Sequence, residues 1–394
     1  MVGHTAKVVH LGAPAPDAAR LRARVARRLP SAPQLTWRLD GPAATPVWRP
    51  VAVDLHAHVG EIVATQPLDT ERLRVEVAGL FHETLDRSRP LWRMDLVGPL
   101  ADGGTALVWR VHHALADGAA ILRLARTVLW DAPLDLVATA HPEPGDAEGR
   151  RHTLAMLTRE LVPGLRASPF DALPGVVREV AFATTALPPL RRAARTLAGA
   201  TLNDAVLAVV AGALRQWLLR HHGTVVHHLR IKVPVSLHTL DDVAGNRDSA
   251  FVVRVPLDEP DMVTRLRVIR AETALRKSQH DARDLHELLD QLSRASPGLR
   301  RWVARLQSGA RAFALNVSNV CGPAHDVTVL GAPAQALHSL AEVAPHHVLR
   351  VAVVSLADRL CAGLVTDPAA VPDIAGLAAA IEQEAAELAA AAET

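Results

Sequence analysis

The stretch TALVWRVHHALADGAA, residues 105–120, constrains the fold more than any other part of the chain. An apolar run ends in His112-His113, and Asp117-Gly118 follows after three intervening residues. The pattern predicts a strand over 104–113, a turn at Asp117-Gly118, and a helix with Ile121, Leu124, Ala125, Val128 and Leu129 spaced for burial. The segment RPLWRMDLVG (89–98) leads into a second strand, which pairs with the first across the turn PLADGG. Side chains alternate along a strand, so Leu107, Trp109, Val111 and His113 share one face, while Val108, Arg110 and His112 share the other. The two histidines therefore point in opposite directions, and only one can serve a given site. Asp117 can cap the following helix or pair with a buried arginine.

With 394 residues the chain is too long for one small core, which suggests two domains. Lysine and arginine number 43 against 41 acidic residues, a balance that argues against a dedicated nucleic-acid binder. The two cysteines, Cys321 and Cys361, lack CxxC spacing, which disfavours a zinc ribbon or a disulfide framework and fits a reducing, cytoplasmic setting. The start MVGHTAKVVHLGAPAP has neither the charged opening nor the long apolar core of a secretory signal. The strongest apolar run, AVLAVVAGAL (205–214), is about half the roughly 20 residues that span a bilayer. The chain reads as soluble or at most peripheral, and with no tyrosine it can do no tyrosine chemistry.

Along the chain, 17–30 reads as a helix opened by Asp17 and stopped by Pro30, and 70–86 as another. The pieces QLTWRL (34–39) and VAVDLHAHV (51–59) look like strands, which would place His56 and His58 on one strand face. At HPEPGDAEGRR (141–151) the composition turns polar and Pro/Gly-containing, the mark of a boundary. This gives a unit over 1–140, a crossover over 141–182 and a second unit over 183–394. The second unit holds two helices within 190–222, broken near Gly199, and a helix over 258–285. Its strands lie at 229–237, 250–257, 313–320, 348–356 and 360–366, and a final helix starts at about Asp373. The result is an α+β or mixed protein of two domains.

Three chemistries can be weighed on the two histidines. A metal site needs a third ligand at matched spacing, and neither His113 with Asp117 nor the HxH at His56 and His58 has one. A serine triad needs a nucleophile elbow, and no GxSxG occurs. What remains is one histidine acting as a general base without a protein nucleophile, or a pair of structural histidines at a strand end.

HHALADG (112–118) resembles the HHxxxDG motif of coenzyme-A-dependent acyltransferases, a superfamily that includes peptide-synthetase condensation domains. Further segments resemble one branch, the bacterial wax ester synthase/diacylglycerol acyltransferases. LDRSRPLW (85–92) is similar to its PLW segment, TLNDAVLAVVAGALRQWL (201–218) to its ND helix, GNRDSAFVVRVPL (245–257) to its NR motif, and NVSNVCGP (316–323) to its SNVPGP motif. These marks stand in family order from about residue 20 onward, and the ordered set is far more specific than HHxxxDG alone. Two departures from the resemblance stand out: the family's N-terminal segment ahead of the first strand is expected to be absent, and Cys321 replaces the SNVPGP proline.

The resemblance implies two chloramphenicol-acetyltransferase-like α/β domains with a substrate tunnel between them. It implies His113 as the base, His112 as structural, and Asp117 as the residue that orients the loop through an arginine, for which Arg247 beside Asn246 is the candidate. Gly118 would let substrate and backbone approach closely. Pro90, Leu91 and Trp92 would shape an acyl or acceptor pocket, or in the case of Leu91 the core. Asn203 and Asp204 would support the site or cap their helix, and Ser318 or Asn319 would donate to the thioester oxyanion or close a strand end. The implied reaction transfers a fatty acyl group from acyl-CoA, a co-substrate, to diacylglycerol or a long-chain alcohol, with no resident cofactor and no metal. Two alternatives stand beside it. One is a specialised O- or N-acyltransferase or condensation-like enzyme using acyl-CoA or a carrier-protein thioester. The other is a non-catalytic lipid-binding relative. Arginines at 20–28 and 191–195 permit peripheral contact with a membrane or lipid droplet.

Overall fold

Alternating apolar strands that are buried on both sides need a cover on each face, and the chain supplies one with helices and with a second sheet. A computed structural model describes residues 3–42, 46–132, 168–236, 248–278, 309 and 312–393. Strand β1 (His4–Leu11) leads to helix α1 (Ala18–Arg28), which Asp17 caps by accepting the Arg20 N–H. A small hairpin follows, β2 (Trp37–Asp40) with β3 (Val47–Pro50), and then a single turn of helix, α2 (Leu55–His58). Next come β4 (Val59–Leu68), α3 (Thr70–His82), β5 (Trp92–Leu100), β6 (Thr105–His112) and α4 (Gly118–Val128).

The second half begins with β7 (Glu179–Ala186), α5 (Leu187–Ala198) and α6 (Leu202–His222). It continues through β8 (His228–Ser236), β9 (Asp248–Pro256), α7 (Met262–Ser278) and β10 (Leu315–Val320). It ends with β11 (Thr328–Val329), β12 (Ala332–Ala341), β13 (Leu349–Leu356), β14 (Arg359–Thr366) and α8 (Ile374–Ala390).

Two six-stranded sheets result, ordered β11-β12-β1-β6-β5-β4 and β7-β14-β13-β10-β8-β9. The first does not respect the division at 183, because β12 pairs antiparallel with β1 and so lies in the sheet of the first unit. Residues of β1 go alternately to two cores: Ala6 and Val8 pack with Leu73, Val77 and Phe81 of α3, while Val9 and Leu11 pack with Leu21, Val25 and Ile121. The second sheet is covered on one face by α5, α6 and α8, whose Leu190, Leu207 and Leu377 meet Ile231, Val317 and Val351. On its other face Val354, Leu356 and Cys361 join the core that holds Trp109 and Ile121. Helix α6 is long and apolar enough to cross a membrane, yet most of that stretch is buried in the fold.

Two strand assignments change; that at 34–39 holds only from Trp37, because Pro33–Thr36 forms a 3-10 turn. Residues 51–59 are not a strand: Asp54 caps the short helix α2, and the strand begins only at Val59. Asp54 at the cap outweighs the alternating pattern, so His56 and His58 sit on a helix turn, where the His58 ring bonds the Trp92 carbonyl (2.7 Å). The polar group at 141–151 lies outside the described residues.

Candidate active site

Strand β6 is buried along its whole length, and its alternation sorts the side chains as the sequence predicts. Leu107, Trp109 and Val111 enter the core shared with α1 and α4. Arg110 turns the other way, toward α3, and donates to the Leu80 carbonyl and to Asp95 (3.1 Å). His112 follows on the Arg110 side and is buried. Its Nδ1 accepts the Ala114 N–H (3.1 Å), its carbonyl accepts from Leu115 (2.9 Å) and Ala116 (3.3 Å), and its own N–H reaches the Leu91 carbonyl (2.9 Å). The first three of these bonds hold the turn 112–116 in shape, and the fourth ties it to the segment before β5.

His113 leaves the strand at that turn, with its N–H on the Gly3 carbonyl (2.9 Å) and its ring half-buried. Its Nδ1 is shut off from solvent and finds no hydrogen-bond partner among the described residues. Burial is the main force that lowers its pKa, to about 4; the charges of Arg350, His112 and Lys7 push the same way and Asp117 opposes them. The imidazole is therefore neutral at neutral pH and able to accept a proton.

Asp117 is fully buried and caps α4, accepting the Ala120 N–H (2.8 Å). The proposed partner Arg247, like Asn246, lies outside the described residues. A cation that does act on Asp117 is Lys7, in the middle of β1 and only 2% exposed. Its Nζ donates to Ser339 Oγ of β12 (2.7 Å), and burial lowers its pKa to about 8 against the pull of Asp117. A methyl group on Gly118 would sit 3.6 Å from Val320 Cγ2 and 4.0 Å from Lys7 Nζ. Gly118 thus marks where the first turn of α4 meets β10.

On β10, Leu315 and Val317 enter the helix-covered core, so alternation sends Ser318 and Val320 to the opposite face and Asn319 back toward the helices. Ser318 is therefore the one of the pair on the side of Gly118. Asn316 on the same face stands opposite Arg350 of β13. Arg350 and Lys7 escaped the sequence reading. Each is a lone cation inside an apolar strand, in VLRVAVVSL and TAKVVHL, and that is the signal by which they could have been found.

Leu91 and Trp92 are core residues, and the Trp92 indole N–H donates to the Leu35 carbonyl (2.7 Å). Pro90 and Trp92 also edge a cavity of about 290 Å³, but Glu83, Asp86, Arg89, Arg93 and Arg110 line it. That lining is charged and does not suit an acyl chain. Thr201, not Asn203, caps α6; Asp204 completes the capping box by accepting from the Thr201 N–H (2.8 Å) and hydroxyl (2.7 Å). Its other oxygen accepts from Thr273 of α7 (2.6 Å), so Asp204 joins the two helices.

Comparison with known proteins now becomes informative. Residues 2–224 match the model of the wax ester synthase/diacylglycerol acyltransferase catalytic domain, and 244–389 match that of the C-terminal domain of the same enzymes. A putative diacylglycerol O-acyltransferase of Mycobacterium tuberculosis is 30% identical over 368 residues, covering 83% of this chain and 78% of the relative. The O-acyltransferase WSD of Acinetobacter baylyi is 24% identical over 372 residues, covering 84% and 80%. The fold is like that of the wax ester synthase/diacylglycerol acyltransferase from Marinobacter aquaeolei VT8, with a TM-score of 0.75 at 22% identity over 100% of this chain and 95% of that one. It is also like the starter condensation domain of rhizomide synthetase solved with C8-CoA, with a TM-score of 0.60 at 15% identity over 100% and 90%.

Proposed function

Because the chain belongs to the wax ester synthase/diacylglycerol acyltransferase family and is therefore an acyltransferase, we propose that it moves a fatty acyl group from acyl-CoA to a hydroxyl acceptor, with His113 as general base. The acceptor is a diacylglycerol or a long-chain alcohol, and the product a triacylglycerol or a wax ester. One observation carries this: His113 follows the last residue of the buried strand β6 with its ring half-buried, and burial keeps that imidazole neutral at neutral pH. The names of the relatives support the reaction class, and a condensation domain of the same fold solved with C8-CoA supports the donor.

In the reaction His113 takes the proton of the acceptor hydroxyl as its oxygen attacks the thioester carbonyl. A carbon–oxygen bond forms and the carbon–sulfur bond breaks. The proton held on His113 passes to the departing thiolate, so coenzyme A leaves as a thiol and the base is restored. Ser318 is the donor assigned to the transient oxyanion, a role whose loss typically costs about 10²–10³ in rate. Acyl-CoA is consumed as a co-substrate, and the step needs neither an acyl-enzyme nor a resident cofactor. Arg191, Arg192 and Arg195 line a surface cleft of about 800 Å³ that offers contact to anionic lipid; sedimentation with neutral vesicles as readily as with anionic ones would remove that role.

Free-thiol release tests the proposal. Acyl-CoAs from acetyl to palmitoyl are each supplied with hexadecanol, diacylglycerol or no acceptor. Acceptor-dependent release with long chains is expected, and His113→Ala should lose at least about 10²-fold with its circular dichroism unchanged. An active, well-folded His113→Ala would overturn the base. Release with short chains alone would move the substrate to a small metabolite, and release only from a carrier-bound acyl group would replace coenzyme A as donor.

A further inference from the structure

A lysine in the middle of a buried strand is costly unless its charge is used, because desolvating an ammonium is expensive. Lys7 stands opposite Trp109 of β6 on one side and Ser339 of β12 on the other, so it occupies the centre of the first sheet. Alternation puts it on the face of Val9, Trp109 and Val111, where α4 packs and toward which His113 turns. The Ser339 hydroxyl anchors the ammonium at 2.7 Å, and Nζ comes within 4.0 Å of where a Gly118 side chain would begin. Ser339 is itself held in place, since Gly363 of β14 lies so close that a methyl group there would run into the Ser339 carbonyl oxygen.

We propose that Lys7 is a positioning residue of the acyl-transfer site: anchored on Ser339 at the first turn of α4, its ammonium balances the buried carboxylate of Asp117 and so holds the loop that carries His113. This rests on the general-base reading of His113. Among the described residues, the groups that act on the His113 ring are Arg350 from β13, Asp117 at the start of α4, its neighbour His112, and Lys7 from β1. Among the described residues, Lys7 is thus one of two strand-borne cations that oppose its protonation. The pKa of Lys7, about 8, makes its charge available through neutral pH and removes it as the pH rises past that value.

The test compares Lys7→Met and Ser339→Ala with the unmodified chain. With the cation gone His113 should protonate more easily, so the acid limb of kcat/KM should move to higher pH. Misplacement of the loop should lower kcat about ten- to a hundredfold with KM little changed. Ser339→Ala, which leaves Lys7 in place but unanchored, should do the same to a smaller extent and covers the case in which Lys7→Met does not fold. The second readout is independent of turnover: an NMR titration of labelled histidines, with the His113 signal assigned by its loss in His113→Ala, should show the His113 pKa rising in both variants. If no acyl-CoA supports thiol release, the proposed reaction fails, while this titration still decides the role of Lys7. An unmoved His113 titration in folded variants, or unchanged kcat and pH limbs, would overturn the inference.

Discussion

The carbonyl of Leu91 accepts the backbone N–H of His112 at 2.9 Å, which ties the segment before β5 to the residue that ends β6. Leu91 is completely buried, so its side chain fixes where that carbonyl points. Truncating it should therefore reach the histidine turn through the backbone. Leu91→Ala is expected to cost roughly 2–4 kcal/mol of stability. It should also lower kcat in thiol release, even though Leu91 touches no reacting atom. Denaturant melts and turnover at the same temperature would check both, and full activity despite the lost stability would show that the carbonyl is not needed to hold the turn.

The Nδ1 of His112 accepts the Ala114 N–H. An asparagine carries an acceptor oxygen at a similar reach, whereas alanine leaves the Ala114 N–H without its partner. His112→Ala should then lose about 1–3 kcal/mol, the cost of an unsatisfied buried group, and His112→Asn should lose clearly less. Equal stability and equal turnover in the two variants would mean that the bond does not order the turn.

Stability should fall in mild acid, and the sign follows from buried histidines. His338 is fully buried between His10, Phe182 and Thr184, and burial with the nearby His10 lowers its pKa from 6.5 to about 3. Between those values the unfolded chain binds the proton and the folded chain does not, so stability is present above pH 6.5 and drains away as the pH falls toward 3. At about 1.4 kcal/mol per pH unit, this one group removes roughly 2 kcal/mol between pH 6.5 and pH 5. His338→Gln should flatten that part of the stability–pH curve. A curve as steep as that of the unmodified chain would place the acid sensitivity elsewhere.

How much of this could be read from the sequence depended on local pattern. The strand 105–112, its pairing with 92–100, and α4 with its Asp117 cap were legible because alternation, turn residues and helical spacing all agreed there. Strands β1 and β12 were not, although they form the middle of the first sheet. Gln335, His338 and Ser339 break the apolar alternation of β12, and its pairing with β1 spans over 300 residues of chain that no local pattern records. Lys7 was lost with β1, since its meaning comes only from the α4 turn packed over it. Asp204 was ambiguous for a different reason: a carboxylate near a helix start looks alike as cap or as site, and only its bond to Thr273 separates them.

The contact between the two sheets offers a last expectation. Gly363 of β14 stands between Ala352 of β13 and Phe182 of β7 in the second sheet, with its bare Cα facing the crossing strand β12. Added carbon there meets the backbone oxygen of Ser339 and the side chain of Leu340 (2.9 Å), and a backbone oxygen held in a sheet does not yield easily. Gly363→Ala should therefore push β12 away and destabilise the chain by about 1–3 kcal/mol. Because Ser339 carries the hydrogen bond to Lys7, kcat should fall as well, by more than an equally destabilising substitution in the helix-covered core such as Leu377→Ala. Matched melts and turnover of the two variants, measured well below their unfolding temperatures, would separate the effects. Equal turnover in both would mean that the close approach of the sheets serves stability alone.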